Sequence, residues 1–279
     1  VIGFGILGVF TAIFFTGPRL YHGRTVMEWV ARLDPIDPIE YARARTVLLE
    51  IGPEAMPDLG FILAQNTGYA SQAKQFVYKL IGRMRLKQPP RSVSLETLQG
   101  HACMAAALLA ESNHVDISSL VPVLERHLLN GTYASNLGAR ALGSSGSEGV
   151  AILTHLLQSP KMSIRYSAAY GLSFARGNPA VTTLLFDIVR AEPDPILRAN
   201  ALQYVDRSAG TEPVLVPLAI SFLSGSNLFT RYSGALVLSN FPNNTNAVRA
   251  LSEYRAREFV IPSNDLLPKN VPPNRPSIH

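Results

Sequence analysis

The chain has 279 residues, 47% of them hydrophobic and 16% charged, with 25 Lys and Arg against 20 Asp and Glu for a formal net charge of +5. This composition supplies ample core material and excludes an acidic or basic disordered chain; the scattered basic excess permits contact with anionic lipid or nucleic acid without marking either. The single cysteine, Cys103, excludes an internal disulfide and a zinc site built on cysteines.

Residues 1–16, VIGFGILGVFTAIFFT, carry no charge. Sixteen residues fall slightly short of the ~20 that span a bilayer, and the chain begins with Val, so the run is expected to extend upstream. An anchor helix, a signal-peptide core and a buried helix compete for this stretch. Gly17-Pro18 ends it with no A-x-A-like site before it, which favours an uncleaved anchor. Gly3, Gly5 and Gly8 suit close packing against other helices in lipid. Thr25 and Glu28 form a capping box, predicting a short helix to about Arg32 whose Trp29 packs against the first repeat. Asp34-Pro35 and Asp37-Pro38 punctuate the chain before that repeat. The expected domains are an anchor at 1–16, a linker and capping helix at 17–37, a repeat array at 38–258 and a tail at 259–279.

The array is read from three near-copies. Ile164-Arg165-Tyr166-Ser167-Ala168-Ala169-Tyr170-Gly171-Leu172 is followed by Leu197-Arg198-Ala199-Asn200-Ala201-Leu202-Gln203-Tyr204-Val205. The third is Thr230-Arg231-Tyr232-Ser233-Gly234-Ala235-Leu236-Val237-Leu238, and the arginines fall 33 residues apart. A fixed period of this size signals stacked helical units. The leucine-like place recurs at Ile51, Ile81, Leu109, Leu142, Leu172, Val205 and Leu238. Small residues three and four places before it let helices approach closely. Second helices are expected at 53–65, 118–129, 149–158, 180–190, 213–223 and 246–257, between Pro and Gly breaks. Seven pairs result, the first two copies degenerate and bulky and the second helix of the second pair replaced by a loop carrying Arg83, Arg85, Lys87 and Arg91. The tail holds five prolines and is expected to be extended or disordered, draping over the last repeat.

The first-helix pattern resembles short HEAT-like repeats, in units shorter than the ~40–47 residues of longer HEAT or armadillo repeats. The segment Tyr21-x-Gly23-Arg24-Thr25-x-x-x-Trp29 resembles one that follows the hydrophobic N-terminus of bacterial membrane-anchored HEAT-repeat proteins. The resemblance implies an all-α, right-handed α-solenoid that serves as a binding platform. No activity travels with such a fold. It also admits a lyase or isomerase of the bilin-lyase type, or a nucleic-acid-binding array, which the anchor disfavours.

Three groups are candidate functional residues. Arg165, Arg198 and Arg231 form a ladder, read either as an anion-binding rib or as ties to loop carbonyls and acids such as Asp194. His127, His155, Asp187 and Ser221 share one register on successive second helices and form a polar column. Their types suit a metal or a hydrolase, but each comes from a different repeat and no G-x-S-x-G elbow accompanies them, so a solvated binding face is expected. Arg83, Arg85, Lys87 and Arg91 could meet lipid headgroups or phosphates, or answer the C-terminal end of the helix before them. The combined expectation is a non-catalytic, single-pass membrane scaffold or accessory subunit with protein partners, without metal or cofactor.

Overall fold

A computed structural model of the chain describes residues 19–65, 93–112, 115–130, 134–175, 177–205 and 211–258. Among these, α1 (Val26–Val30) precedes first and second helices that alternate along the chain. They are α2 (Pro38–Ile51) and α3 (Met56–Ala64), α4 (Leu95–Glu111) and α5 (Val121–Asn130), α6 (Ala134–Ser144) and α7 (Ser147–Leu156). Then come α8 (Met162–Leu172) and α9 (Pro179–Ala191), α10 (Pro195–Tyr204) and α11 (Glu212–Phe222), α12 (Leu228–Leu238) and α13 (Thr245–Glu258). The expected anchor, the basic loop, the copy ending at Ile81 and the tail all lie outside the described residues.

Helix starts follow from side chains that satisfy the free N–H groups of the first turn. Asp37 accepts from the Glu40 amide, Ser94 from Thr97 and Asn227 from Phe229. Asp194 accepts from the Leu197 amide at 2.6 Å. Prolines 38, 179 and 195 open their helices, where a missing N–H costs nothing.

The chain divides into two compact units, Val1–Leu185 with Tyr204–Asp206, and Phe186–Gln203 with Arg207–His279. In the first unit, the first helices α4, α6 and α8 stack in succession, and the second helices α3, α5 and α7 do likewise. The pair α2–α3 packs directly on α4–α5. Six pairs lie among the described residues; the second of the seven expected pairs falls within residues 66–92, outside them. The leucine-like residue is buried in all six described copies, at Ile51, Leu109, Leu142, Leu172, Val205 and Leu238.

Between α6 and α8 the backbones meet with no side chain between them. A Cβ on Gly143 would collide with the Gly171 carbonyl, and one on Gly171 would sit 2.5 Å from the Ala139 carbonyl oxygen. Around this contact Ser167 donates to the Asn136 side chain at 2.7 Å. Arg140 grips Glu111 of α4 with two bonds of 2.7 Å while its guanidinium lies 4.9 Å over the Phe174 ring. One side chain thus joins three consecutive first-helix segments. In the second unit Gly234 of α12 meets α11 in the same manner, a Cβ there lying 2.6 Å from the Ala219 carbonyl oxygen.

The N-terminal end is closed by a tight turn and one short helix. Tyr21 and Arg24 exchange backbone hydrogen bonds of 2.7 and 3.1 Å around His22 and Gly23, both with positive φ (50° and 77°), so glycine suits the second place. Thr25 and Glu28 make the expected capping box. Trp29 is 0% exposed, and its indole N–H donates to the Tyr21 carbonyl at 2.8 Å. Arg24 lies 4.7 Å over the indole and reaches Glu40, which also holds Arg32 at 2.9 Å. Each residue of the opening motif is therefore used in closing this end.

His101 of α4, 3% exposed, hydrogen-bonds the Val30 backbone and leaves Nδ1 without a partner. Burial pushes its pKa below the ordinary 6.5, against the opposing pull of Asp34 and the Val30 bond. The unfolded chain then binds the extra proton first, so stability is full above pH 6.5 and falls as pH drops below it. Urea unfolding between pH 7.5 and 5 is expected to show this slope, and His101→Gln to flatten it. Lost carboxylate interactions enter lower: Glu54, held below its ordinary 4.5 by the Tyr21 hydroxyl and Arg19, matters only under that value.

A second test addresses the glycine contact. Gly→Ala inside a helix ordinarily stabilises by up to ~1 kcal/mol. At Gly171 the sign is expected to reverse, with a loss of about 1–3 kcal/mol from overpacking. Thermal unfolding of Gly171→Ala reads this, and an unchanged or higher Tm would rule out the tight contact.

Candidate binding surfaces

The polar column divides by environment. His127 of α5 is buried, and its Nε2–H donates to the Leu63 carbonyl at 2.9 Å, which ties α5 to α3 and fixes the tautomer. The Ser135 hydroxyl donates in turn to the His127 carbonyl at 3.1 Å. His127 is thus corrected from a surface candidate to a linker between second helices: α5 packs on α3 through this face, leaving no solvent for the imidazole. His155, in the last turn of α7, is exposed. Asp187 is exposed and lies 3.6 Å from Arg190, one turn along α9. Ser221 is exposed and gives its hydroxyl proton to the Leu218 carbonyl of its own helix at 2.7 Å. Its hydroxyl is engaged locally, and among the described residues no imidazole is bonded to it. Among the described residues no three His, Cys, Asp or Glu side chains are grouped so as to hold a metal ion.

Two of the three ladder arginines reach backward along their own repeats. Arg165 donates to the Ser159 carbonyl at 3.1 Å, six residues before it. Arg231 repeats that bond on Gly225 at 3.1 Å, adds Ser226 at 3.2 Å and pairs with Glu258 at 2.8 Å. Arg198 lies 6.0 Å from the centre of the Phe222 ring. A guanidinium early in a first helix is long enough to hold the loop that delivers that helix, as Arg165 and Arg231 each do through one terminal nitrogen. Arg83, Arg85, Lys87 and Arg91 lie outside the described residues.

Several polar groups were not singled out in the sequence. Gln99 of α4 is buried and donates to the Gln65 carbonyl at 2.7 Å, beyond the end of α3. Tyr21 and Arg19 share Glu54 at 2.8 and 2.9 Å. Beside them Leu20, Tyr21, His22, Val47, Glu50 and Ile51 line a shallow depression of 290 Å³. The Arg140–Glu111 pair had a usable signal, since opposite charges one repeat apart on adjacent first helices can meet. Cys103 is buried, and burial pushes its thiol up to about 12, so it remains protonated and unreactive.

Residues 133–206 match the family described as HEAT repeats. No curated protein matches the chain. The match spans α6 to α10, where the first-helix pattern and the backbone contact at Gly171 both lie. This part of the chain is similar to HEAT repeats, and the helix pairs fit an α-solenoid. HEAT repeats commonly mediate protein interactions. Among the described residues no helix is long and apolar enough to cross a membrane.

The two histidines separate structural from surface roles. His127→Ala is expected to cost about 1–3 kcal/mol, because it strands a buried carbonyl. His155→Ala is expected to stay within about 0.5 kcal/mol of the unaltered chain. Chemical denaturation of both variants measures the difference, and equal stabilities would place both histidines in solvent.

Proposed function

We propose that this chain is a non-catalytic scaffold or accessory subunit, held at a membrane by residues 1–16, whose right-handed helical-repeat array binds protein partners. The observation that carries the reading is the HEAT-repeat match at 133–206, on helices that stack pair upon pair. Many of the buried or half-buried polar groups serve the stacking itself: His127, Gln99, Arg140 and Arg231 all hold helices or loops of the chain. What remains for a partner is spread over exposed positions such as His155, Asp187 and Ser221. Such a surface binds through many modest contacts along the repeats. The uncharged run at 1–16 supports a single-pass anchor, and its three glycines suit packing against the helices of a larger membrane complex.

The test is purification of the full-length protein from its native membranes in mild detergent, with mass spectrometry of what accompanies it. A stoichiometric set of membrane proteins is expected, retained through alkaline washing of the membranes. Loss of the protein to the wash would end the anchor reading. Recovery of the protein alone would end the scaffold reading.

A further inference from the structure

Two histidines are buried among the described residues, His101 of α4 and His127 of α5, and each donates to a carbonyl of a neighbouring helix. They differ at the second ring nitrogen. Nδ1 of His101 is sealed from solvent without a partner among the described residues, and His127 has no such atom. Residues 99–110 of α4 are all buried. A second proton on His101 therefore has no acceptor, and a buried charge must be paired or reach water.

Which neighbour gives way follows from the packing. α4 lies against α1, α2, α3 and α6. α1 has 5 residues, against 14, 9 and 11 for the others. So short a helix does not persist in water alone, and α1 is kept by the burial of Val26, Trp29, Val30 and Leu33. The His101 bond goes to Val30, the last residue of α1, whose carbonyl also accepts from the Leu33 amide at 3.1 Å. Of the four contacts, this one can yield without unstacking a helix pair.

The charged groups on these elements give the ring one electrostatic neighbour. Glu28 of α1 closes the capping box, and Glu40 of α2 holds Arg24 and Arg32. Also on α2, Arg43 lies by Glu40, Arg45 is exposed and Glu50 meets His22. Asp58 of α3 is exposed, and Arg140 of α6 is bound to Glu111. Asp34, just past α1, alone pulls on the imidazole, and its Oδ1 already accepts from the Ile36 amide at 3.0 Å.

We infer that His101 is a pH-operated latch: when its imidazole takes a second proton, residues 21–34 swing off α4 while the stacked helix pairs stay folded. Acidic surroundings then uncover Val26, Trp29, Val30 and Leu33, an apolar surface that neutral conditions keep shut.

Hydrogen exchange of the full chain, read by mass spectrometry and corrected for the intrinsic effect of pH, tests this. Between pH 7.5 and 5.5, opening of residues 21–34 is expected to rise toward about tenfold, since pH 5.5 lies one unit below the ordinary 6.5 of histidine and the open segment binds the proton first. α6 and α8 should keep their protection. The response is expected to vanish in His101→Gln, whose amide can donate to Val30 but takes no proton. It should persist in His22→Gln, which removes an exposed ring 3.0 Å from Glu50. Asp34→Asn removes the carboxylate's pull and should move the response to lower pH, a readout that serves if His101→Gln does not fold. Equal loss of protection in α6 and α8 would make the event global and overturn the latch. So would unchanged protection of residues 21–34 at pH 5.5, or a response that survives in His101→Gln.

Discussion

In the first unit the first helices α6 and α8 meet backbone to backbone. Where α6 meets α8, Gly143 faces the Gly171 carbonyl and Gly171 faces the Ala139 carbonyl, with no room for a β-carbon. Glycine in a helix interior gives up roughly 0.5–1 kcal/mol of intrinsic preference. That cost is offset because the short separation lets Leu142 and Leu172 bury fully in one core, each such burial being worth about 1.5–3 kcal/mol. It also brings Arg140 within reach of a carboxylate on one side and a ring on the other, and Asn136 within reach of Ser167. These lateral ties are geometric consequences of the helix separation. A wider stack would leave their partners beyond hydrogen-bond distance.

Polar chemistry in this chain is mostly directed inward. His127 and Gln99 join helices of adjacent pairs, while Arg165 and Arg231 hold the loops that lead into their own helices. In stacked repeats stability is a sum of intrinsic terms and nearest-neighbour interfaces. Residues of this kind therefore set how strongly adjacent units are coupled. The surface left over is modestly charged and without a focal metal-binding cluster among the described residues.

The helical architecture was readable because period and punctuation agree. The 33-residue spacing of Arg165, Arg198 and Arg231 marks the start of α8, α10 and α12, and proline or Asp/Asn caps mark where helices begin. Side-chain direction was harder to read. His127 and His155 head the same His-Leu-Leu match, yet one is buried and the other exposed: the buried pattern Leu124, His127, Leu128 recurs as Leu153, Leu156, Leu157, so Leu156 takes the place of His127. Register gives a residue's angle on its own helix; what lies opposite depends on the neighbouring pair.

The sealed N-terminal end has a consequence for how unfolding of this protein is watched. Its one tryptophan, Trp29, is fully buried, with its N–H bonded to the Tyr21 carbonyl and a guanidinium over its ring. Indole emission therefore reports on the solvation of a single terminus. An array coupled through neighbours can fray from one end while the other stays intact. Fluorescence would then register a chain as native with its C-terminal helices already open, whereas circular dichroism would record their loss. The gap between the two signals measures how far cooperativity extends from one unit to the next.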